Sequence, residues 1–295
     1  MAEPDLLPSQ VNISGRVIAG HGRHYLVEAP DGDSIECVPR GKKSEIACGD
    51  RVEFQLTGNK QGVIERILPR SSLLYRSDAF KQKLIAANVT QLVIVVASEP
   101  TFNDELLARC LLAGHEQDLQ LLIVLNKADL PQIEDARARL AVYRQLGYRV
   151  LELSAMQDVA PLRDCLHGHT SVLVGQSGMG KSTLTNALIP EAQAATREIS
   201  NALDSGKHTT THATLYHLDT DSDLIDCPGV QLFGLHHLDF ATLERNFPEF
   251  LPYLGECRFA NCSHSHEPDC AIRKATDTGK IDARRLALFH AIAGR

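Results

Sequence analysis

The order of two short motifs constrains this chain more than any other feature. Asn126-Lys127-Ala-Asp129 comes first, and the glycine-rich run Gly175-Gln-Ser-Gly-Met-Gly-Lys181-Ser182 follows it. A GxxxxGK[ST] run between a strand and a helix cradles phosphates, because its backbone N–H groups converge at a helix N-terminus. An Asn-Lys-x-Asp run at a strand end reads guanine, since its Asp carboxylate accepts from base N1 and N2, donors that adenine lacks. Ordinary guanine-nucleotide domains carry the phosphate loop first. The reversed order means that the same sheet is built with new ends, a circular permutation, which is tolerated where the original termini lie close together at the surface.

The surrounding pattern places both motifs on an α/β scaffold. Gln91-Leu-Val-Ile-Val-Val-Ala and Leu121-Leu-Ile-Val-Leu are continuous apolar runs, as in strands buried on both faces of a parallel sheet. Helical periodicity over residues 104–116 and 134–146 alternates with them, and further strands are expected at 149–153, 171–174, 213–218 and 223–226.

Four of the expected strand ends carry a candidate site. In the phosphate loop, Gly175, Gln176, Ser177, Gly178, Met179 and Gly180 form the turn, and the amides of residues 178–182 face phosphate oxygens. Lys181 neutralises β/γ charge, Ser182 ligates Mg²⁺ and Thr183 reaches the α-phosphate. Asn126, Lys127 and Asp129 hold the base, with a backbone N–H of Ser154-Ala155 meeting guanine O6. Asp226-Cys-Pro-Gly229 closes another strand, so that Asp226 holds Mg²⁺ through water and the Gly229 N–H senses the γ-phosphate. Between these lies Gly206-Lys-His208-Thr209-Thr210-Thr211-His212, whose threonines close over Mg²⁺ in the triphosphate state; the spacing does not choose among Thr209, Thr210 and Thr211. GTP as substrate and GDP as product are the expected ligands.

Two further segments flank this core. Five short alternating runs between residues 11 and 68, separated by turn signals such as Pro30-Asp-Gly-Asp, suggest a small barrel, either an OB-type nucleic-acid platform or a spacer. Arg40-Gly-Lys-Lys43 in one of its loops, and a basic linker with Arg70, Arg76, Lys81 and Lys83, either meet RNA phosphates or lie against solvent and the acidic protein itself. At the other end, Cys257, Cys262 and Cys270 crowd together with His264 and His266, an inventory suited to structural, tetrahedral Zn²⁺ with all ligands from the protein. The expected division is 1–69 barrel, 70–235 permuted nucleotide domain and 236–295 zinc-binding, mostly helical domain.

Composition narrows the setting. Eight cysteines could pair, but five are scattered singly, which fits a metal cluster better than a disulfide framework. A net charge of −7 argues against nonspecific coating of nucleic acid, though a local basic patch still docks on phosphate. Met1-Ala-Glu-Pro-Asp lacks the basic start of a secretory signal and no apolar run reaches bilayer length, so a cytoplasmic protein without membrane contact is expected, and a monomer.

These motifs together resemble the bacterial small ribosomal subunit biogenesis GTPases of the RsgA (YjeQ) family. The resemblance rests on Asn126-Lys-Ala-Asp129, the 175–182 loop, His208-Thr-Thr-Thr211, Asp226-Cys-Pro-Gly229 and the spacing Cys257-x4-Cys262-x-His264-x5-Cys270. It implies late maturation of the 30S subunit, GTP hydrolysis stimulated by that subunit and a barrel that contacts 16S rRNA. It also favours His264 over His266 as the zinc ligand. Many GTPases orient the attacking water with a glutamine after the Asp-x-x-Gly glycine; here Val230 stands there, with Gln231 one position on. Similar proteins carry a histidine before the threonine run, which makes His208 the candidate, ahead of His212 and His237. Two other readings remain: a switch acting on a protein effector, and an RNA-binding scaffold whose affinity the nucleotide sets. The loop after Asp226 leads almost directly into the cysteine-rich segment, so γ-phosphate sensing is expected to reposition it.

Overall fold

Alternating burial along residues 13–67 produces five strands, β1 (Ile13–His21), β2 (His24–Glu28), β3 (Ser34–Pro39), β4 (Arg51–Gly58) and β5 (Gln61–Ile67), in a computed structural model that describes residues 11–41, 45–77, 82–190, 213–227, 235 and 238–294. β1 pairs with β2 and β4, β3 with β2 and β5, and β4 with β5, so the circuit of strands closes into an OB-type barrel. Val17, Tyr25, Val27, Ile35, Cys37, Val52, Phe54 and Ile64 fill its interior, the inward set that a period of two selects.

Leu73–Ser77 (β6) and Gln82–Ala87 (β7) form a separate two-stranded antiparallel sheet within the segment whose sequence suggests a basic linker. The nucleotide domain then runs β8 (Gln91–Ala97), α1 (Asp104–Glu116), β9 (Gln120–Asn126), α2 (Ile133–Gln145), β10 (Arg149–Glu152), α3 (Ala160–Leu166), β11 (Thr170–Val174), α4 (Lys181–Leu188), β12 (Thr214–His217) and β13 (Asp223–Asp226). Its strand order is β10-β9-β8-β11-β13-β12, parallel except at β12. Every residue of β8 is buried, and each aliphatic side chain so covered contributes about 1.5–3 kcal/mol. Parallel β9, β10, β11 and β13 deliver their following loops to one edge, the carboxyl edge where ligands of open α/β sheets bind.

Barrel and nucleotide domain share one sheet. Past Arg16, β1 leaves β4, shifts register between Val17 and Ala19, and pairs at Ala19 with Thr214 of β12, giving a sheet of 11 strands. Charged groups cement the seam. Arg16 reaches Asp223 at 2.5 Å and donates to Thr170 Oγ1 at 3.1 Å, and His217 lies between Asp223 (2.7 Å) and Glu28 (2.9 Å). The hydrogen bond to Asp223, with help from Glu28 and against burial, raises the His217 pKa to about 9. Burial opposes ionisation of Asp223, but His217 and Arg16 together hold it below the ordinary carboxylate range. Below the seam, fully buried Asp50 takes both Nε and Nη2 of Arg70 at 2.7 Å. Arg70 is thus turned inward, and Arg40 is paired with Glu65 at 2.5 Å on the surface. Lys42, Lys43 and Lys81 lie outside the described residues.

The C-terminal segment contributes α5 (Phe240–Arg245), a 3-10 turn (Pro248–Tyr253), α6 (Ala271–Asp277) and α7 (Ala283–Ala293). Phe289 sits among Phe240, Phe247 and Phe250 with ring centroids 5.0–5.3 Å away. α7 packs on α1. There Arg285, 3% exposed, pairs with Glu249 at 2.5 Å, and its guanidinium lies over Phe247 and over Tyr143 of α2. No helix among the described residues is long and apolar enough to cross a membrane.

Candidate nucleotide site and metal centre

Strand β11 ends at Val174 and the chain turns through residues 175–180 into α4, the strand–turn–helix context that a phosphate loop needs. Two glycines are sterically required. Gly175 has φ +142° and a Cβ there would fall 2.2 Å from the Val95 carbonyl oxygen; at Gly180, φ +93°, it would fall 2.3 Å from Asn126 Nδ2. The Lys181 ammonium donates to the Gly175 and Gln176 carbonyls at 2.7 and 2.9 Å, curling the loop around its own charge. No side chain among the described residues caps α4, and Ser182 and Thr183 are exposed at its first turn. The helix start therefore offers donors, a hydroxyl and a cation to an anion.

Asp226, at the end of β13, is the opposite charge in this site. Burial raises its pKa while Lys181 opposes that shift; burial lowers the Lys181 pKa while Asp226 opposes it. Each ion is thus held charged partly by the other, in surroundings poor in water, where added phosphate and a divalent cation gain most.

The Asn126-Lys-Ala-Asp129 motif is wired directly to this loop. Asn126, 1% exposed, accepts from the Ala155 amide at 3.0 Å and donates to the Met179 carbonyl at 2.9 Å. One side chain thereby joins three motifs that are far apart in sequence. Lys127, at φ +60°, donates to the Glu99 carbonyl at 2.7 Å. The Asp129 carboxylate is exposed and has no partner among the described residues. Ser154 is buried, its Oγ has no partner among the described residues, and its carbonyl closes a turn to Gln157 and Asp158. His208, Thr209, Thr210, Thr211, His212, Gly229, Val230, Gln231 and His237 lie outside the described residues, as does the segment expected to move the cysteine-rich domain.

A second constellation forms at the C-terminal end. Ligand atoms of Cys257, Cys262, His264 and Cys270 all lie within 4.8 Å of one another. Cys257 and Cys270 sulfurs are 3.8 Å apart, and His264 Nδ1 is 3.6 and 3.3 Å from them. Tetrahedral Zn²⁺ with bonds of about 2.3 Å to sulfur and 2.0–2.1 Å to nitrogen requires edges of about 3.8 and 3.5 Å, close to the separations among Cys257, His264 and Cys270, and Cys262 completes a donor set suited to the ion. Burial pushes the Cys262 thiol to about 12, and a cation within the cluster reverses that cost by stabilising thiolates. His266 is exposed and outside the cluster, which makes His264 the histidine of the set.

Residues 67–236 match the family model described as RsgA GTPase. The chain belongs to that family. It is 54% identical over 279 residues to the small ribosomal subunit biogenesis GTPase RsgA of Nitrosospira multiformis, covering 94% of this chain and 89% of that one. Its identity to the protein of the same name in Burkholderia pseudomallei is 57% over 281 residues, covering 93% and 90%. The crystal structure of YjeQ from Thermotoga maritima superposes with a TM-score of 0.73 at 28% identity, covering 97% of this chain and 100% of that one. YloQ, described as a circularly permuted GTPase, gives 0.70 at 26%, covering 99% and 97%. As a member of the RsgA GTPase family the chain is a GTP hydrolase, and its sheet is the permuted one that the motif order requires.

This RsgA-family site contains supports that local sequence did not reveal. The segment between β8 and α1 lies on the phosphate loop: the Asn103 amide donates to Gln176 Oε1 at 3.2 Å, and Pro100 packs against Gly178. Arg139 of α2 fastens that segment, donating to the Phe102 carbonyl at 2.7 Å and to Asp104 at 2.8 Å, with its guanidinium 3.9 Å from the Phe102 ring centroid. Asn103 carried a detectable signal, because Asn followed by Asp-Glu and an apolar run marks a helix N-cap; its Oδ1 accepts from Leu106 at 3.0 Å. Gln176 is legible in the sequence only as part of the phosphate turn, and Arg139 carries no signal at all.

Proposed function

We propose that this chain hydrolyses GTP as a checkpoint in late maturation of the small ribosomal subunit, with 16S rRNA as the surface that its barrel contacts and the subunit as the stimulus for turnover. The observation that supports this reading is Asn126, whose two hydrogen bonds tie the 126–129 loop, the Ser154-Ala155 turn and the 175–180 loop to one another. Relatives more than 50% identical over nearly the whole chain, named as small ribosomal subunit biogenesis GTPases, support the biological setting.

In this reading Asp129 accepts from guanine N1 and N2, the Ala155 side of the turn meets O6, and Lys127 flanks the base. The amides of residues 178–182 and Lys181 bind the phosphates, with Thr183 near the α-phosphate. Ser182 and, through water, Asp226 would hold Mg²⁺, with one of Thr209, Thr210 and Thr211 joining in the triphosphate state; the ion would neutralise charge developing on the β- and γ-phosphates. The Gly229 amide senses the γ-phosphate, and His208 orients the water whose attack releases GDP and phosphate. With Val230 unable to orient that water, unstimulated turnover is slow. Cys257, Cys262, His264 and Cys270 hold one structural Zn²⁺, and the domains divide at 1–69, 70–235 and 236–295.

The test is GTP turnover by zinc-loaded protein alone, with 30S subunits and with 50S subunits. Stimulation by 30S alone is expected, and its loss in His208→Ala. Turnover indifferent to every subunit would sink the reading in favour of a protein effector. A steep fall of 30S binding with salt is expected of phosphate contacts, and a flat response would argue against RNA as the surface bound.

A further inference from the structure

His264 is held from two sides, and only one of them is the metal cluster. Its Nδ1 faces the Cys257 and Cys270 sulfurs, while its Nε2 lies 2.6 Å from Glu244 Oε1. Glu244 belongs to α5, the short helix that follows the segment running on from Asp226, and both groups are nearly closed to solvent, at 17% and 4% exposure of their side chains. Phe240, four residues earlier and so on the same face of α5, stacks on the imidazole at 6.1 Å between centroids and 25° between planes. His264 itself sits at φ +61°, a region costly for a side-chain-bearing residue and kept only where surrounding contacts enforce it. The ligand loop is pinned independently by Glu267, which accepts from the amides of Ser263, Ser265 and His266 at 2.7, 3.1 and 3.2 Å.

An imidazole has one proton in its neutral form, and the partner of one ring nitrogen decides which nitrogen keeps it. A carboxylate at Nε2 accepts a hydrogen bond only if the proton is there, which leaves the Nδ1 lone pair free to face the sulfurs. We propose that Glu244 is the positioning residue of the metal centre: it fixes His264 in the ligating tautomer and orientation, and thereby couples metal loading to the docking of α5. This rests on the zinc reading of the Cys257-Cys262-His264-Cys270 cluster. The coupling works in both directions, because an interaction that orients a ligand for the ion is strengthened when the ion is present. Zinc therefore tightens the helix that follows the segment running on from Asp226, and α5 in turn retains zinc.

The experiment measures Zn²⁺ affinity by chelator competition, and hydrogen exchange of the 240–245 amides with and without Zn²⁺, in the full-length protein and in Glu244→Ala and Glu244→Gln. Glu244→Ala is expected to weaken Zn²⁺ binding about 10- to 100-fold and to abolish the slowing of α5 exchange that zinc produces in the wild type. Glu244→Gln, whose side-chain oxygen still accepts from Nε2–H, is expected to lose distinctly less. Wild-type zinc affinity in a folded Glu244→Ala would overturn the proposal, as would equal melting-temperature losses with and without zinc at unchanged affinity. If the alanine variant fails to fold, Glu244→Leu, which removes the acceptor but fills its space, decides: Zn²⁺ affinity about 10- to 100-fold weaker is expected, and wild-type affinity overturns the proposal. A wild-type chain that binds no Zn²⁺ would overturn the metal reading as well, which separates the two failures.

Discussion

Asn126 Nδ2 lies 2.9 Å from the Met179 carbonyl oxygen, so the end of β9 and the 175–180 loop are held by one buried amide. The same amide accepts from Ala155. Replacing Asn126 with alanine strands a buried carbonyl and an amide N–H, each at about 1–3 kcal/mol. The loop should lose its register against the base site, weakening GDP and GTP alike by roughly 10- to 100-fold. Titration with fluorescent nucleotides checks this; a folded Asn126→Ala that binds within threefold of wild type would refute it.

Base identity should rest on the exposed carboxylate of Asp129. An asparagine there offers one donor and one acceptor, which mismatches the two guanine donors and matches xanthine, with its N–H at position one and carbonyl at position two. Asp129→Asn is expected to lose GTP affinity on the order of 100-fold or more and to gain XTP. Turnover of both nucleotides by the same preparation is the measurement. Unaltered guanine preference would mean that another group reads the base.

The barrel seam should be sensitive to alkali. His217 has its pKa raised to about 9 by Asp223 and Glu28, against about 6.5 in an unfolded chain. Protons bind more tightly to the folded form, so this stabilisation is complete below about pH 6.5 and is lost as pH rises through about 9. The imidazole is half exposed, at 49%, and solvent screening reduces the effect to about 1 kcal/mol. Denaturation at pH 6.5 and 9.5 should show the loss in wild type and a smaller one in His217→Gln. Equal losses in both would assign the alkaline effect to other groups.

Arg285 and Glu249 form a pair almost closed to water. Removing one partner leaves a buried unpaired charge, at about 3–5 kcal/mol, whereas replacing both with apolar residues of similar volume is nearly neutral. Arg285→Met should therefore lower the melting temperature sharply, and adding Glu249→Leu should recover most of the loss. Additive losses in the double variant would show that the pair contributes through something other than its charges.

The chemistry of this chain was legible because it is carried by contiguous residues. The 126–129 and 175–182 runs each encode a local backbone shape and its donors, and their order alone requires the permuted sheet. The alternation of β3 and β4 and the unbroken apolar run of β8 likewise encode burial on one face or on both. For the metal, residue spacing left His264 and His266 open, and only family resemblance chose between them; folding brings His264 Nδ1 to the sulfurs and leaves His266 outside.

What the tertiary structure decided are relationships between residues that no local period connects. Arg16 meets Asp223 across 207 positions, β1 continues the nucleotide sheet through β12, and Arg70, one of the linker cations weighed as a phosphate contact, turns inward onto Asp50. The same holds for Asn103 on Gln176 and Glu244 on His264. Periodicity and turn chemistry act over a few residues, so they specify elements and the loops between them. Which loops meet, and which charges neutralise one another, is settled only when desolvation forces each buried polar group to find a partner in the packed chain.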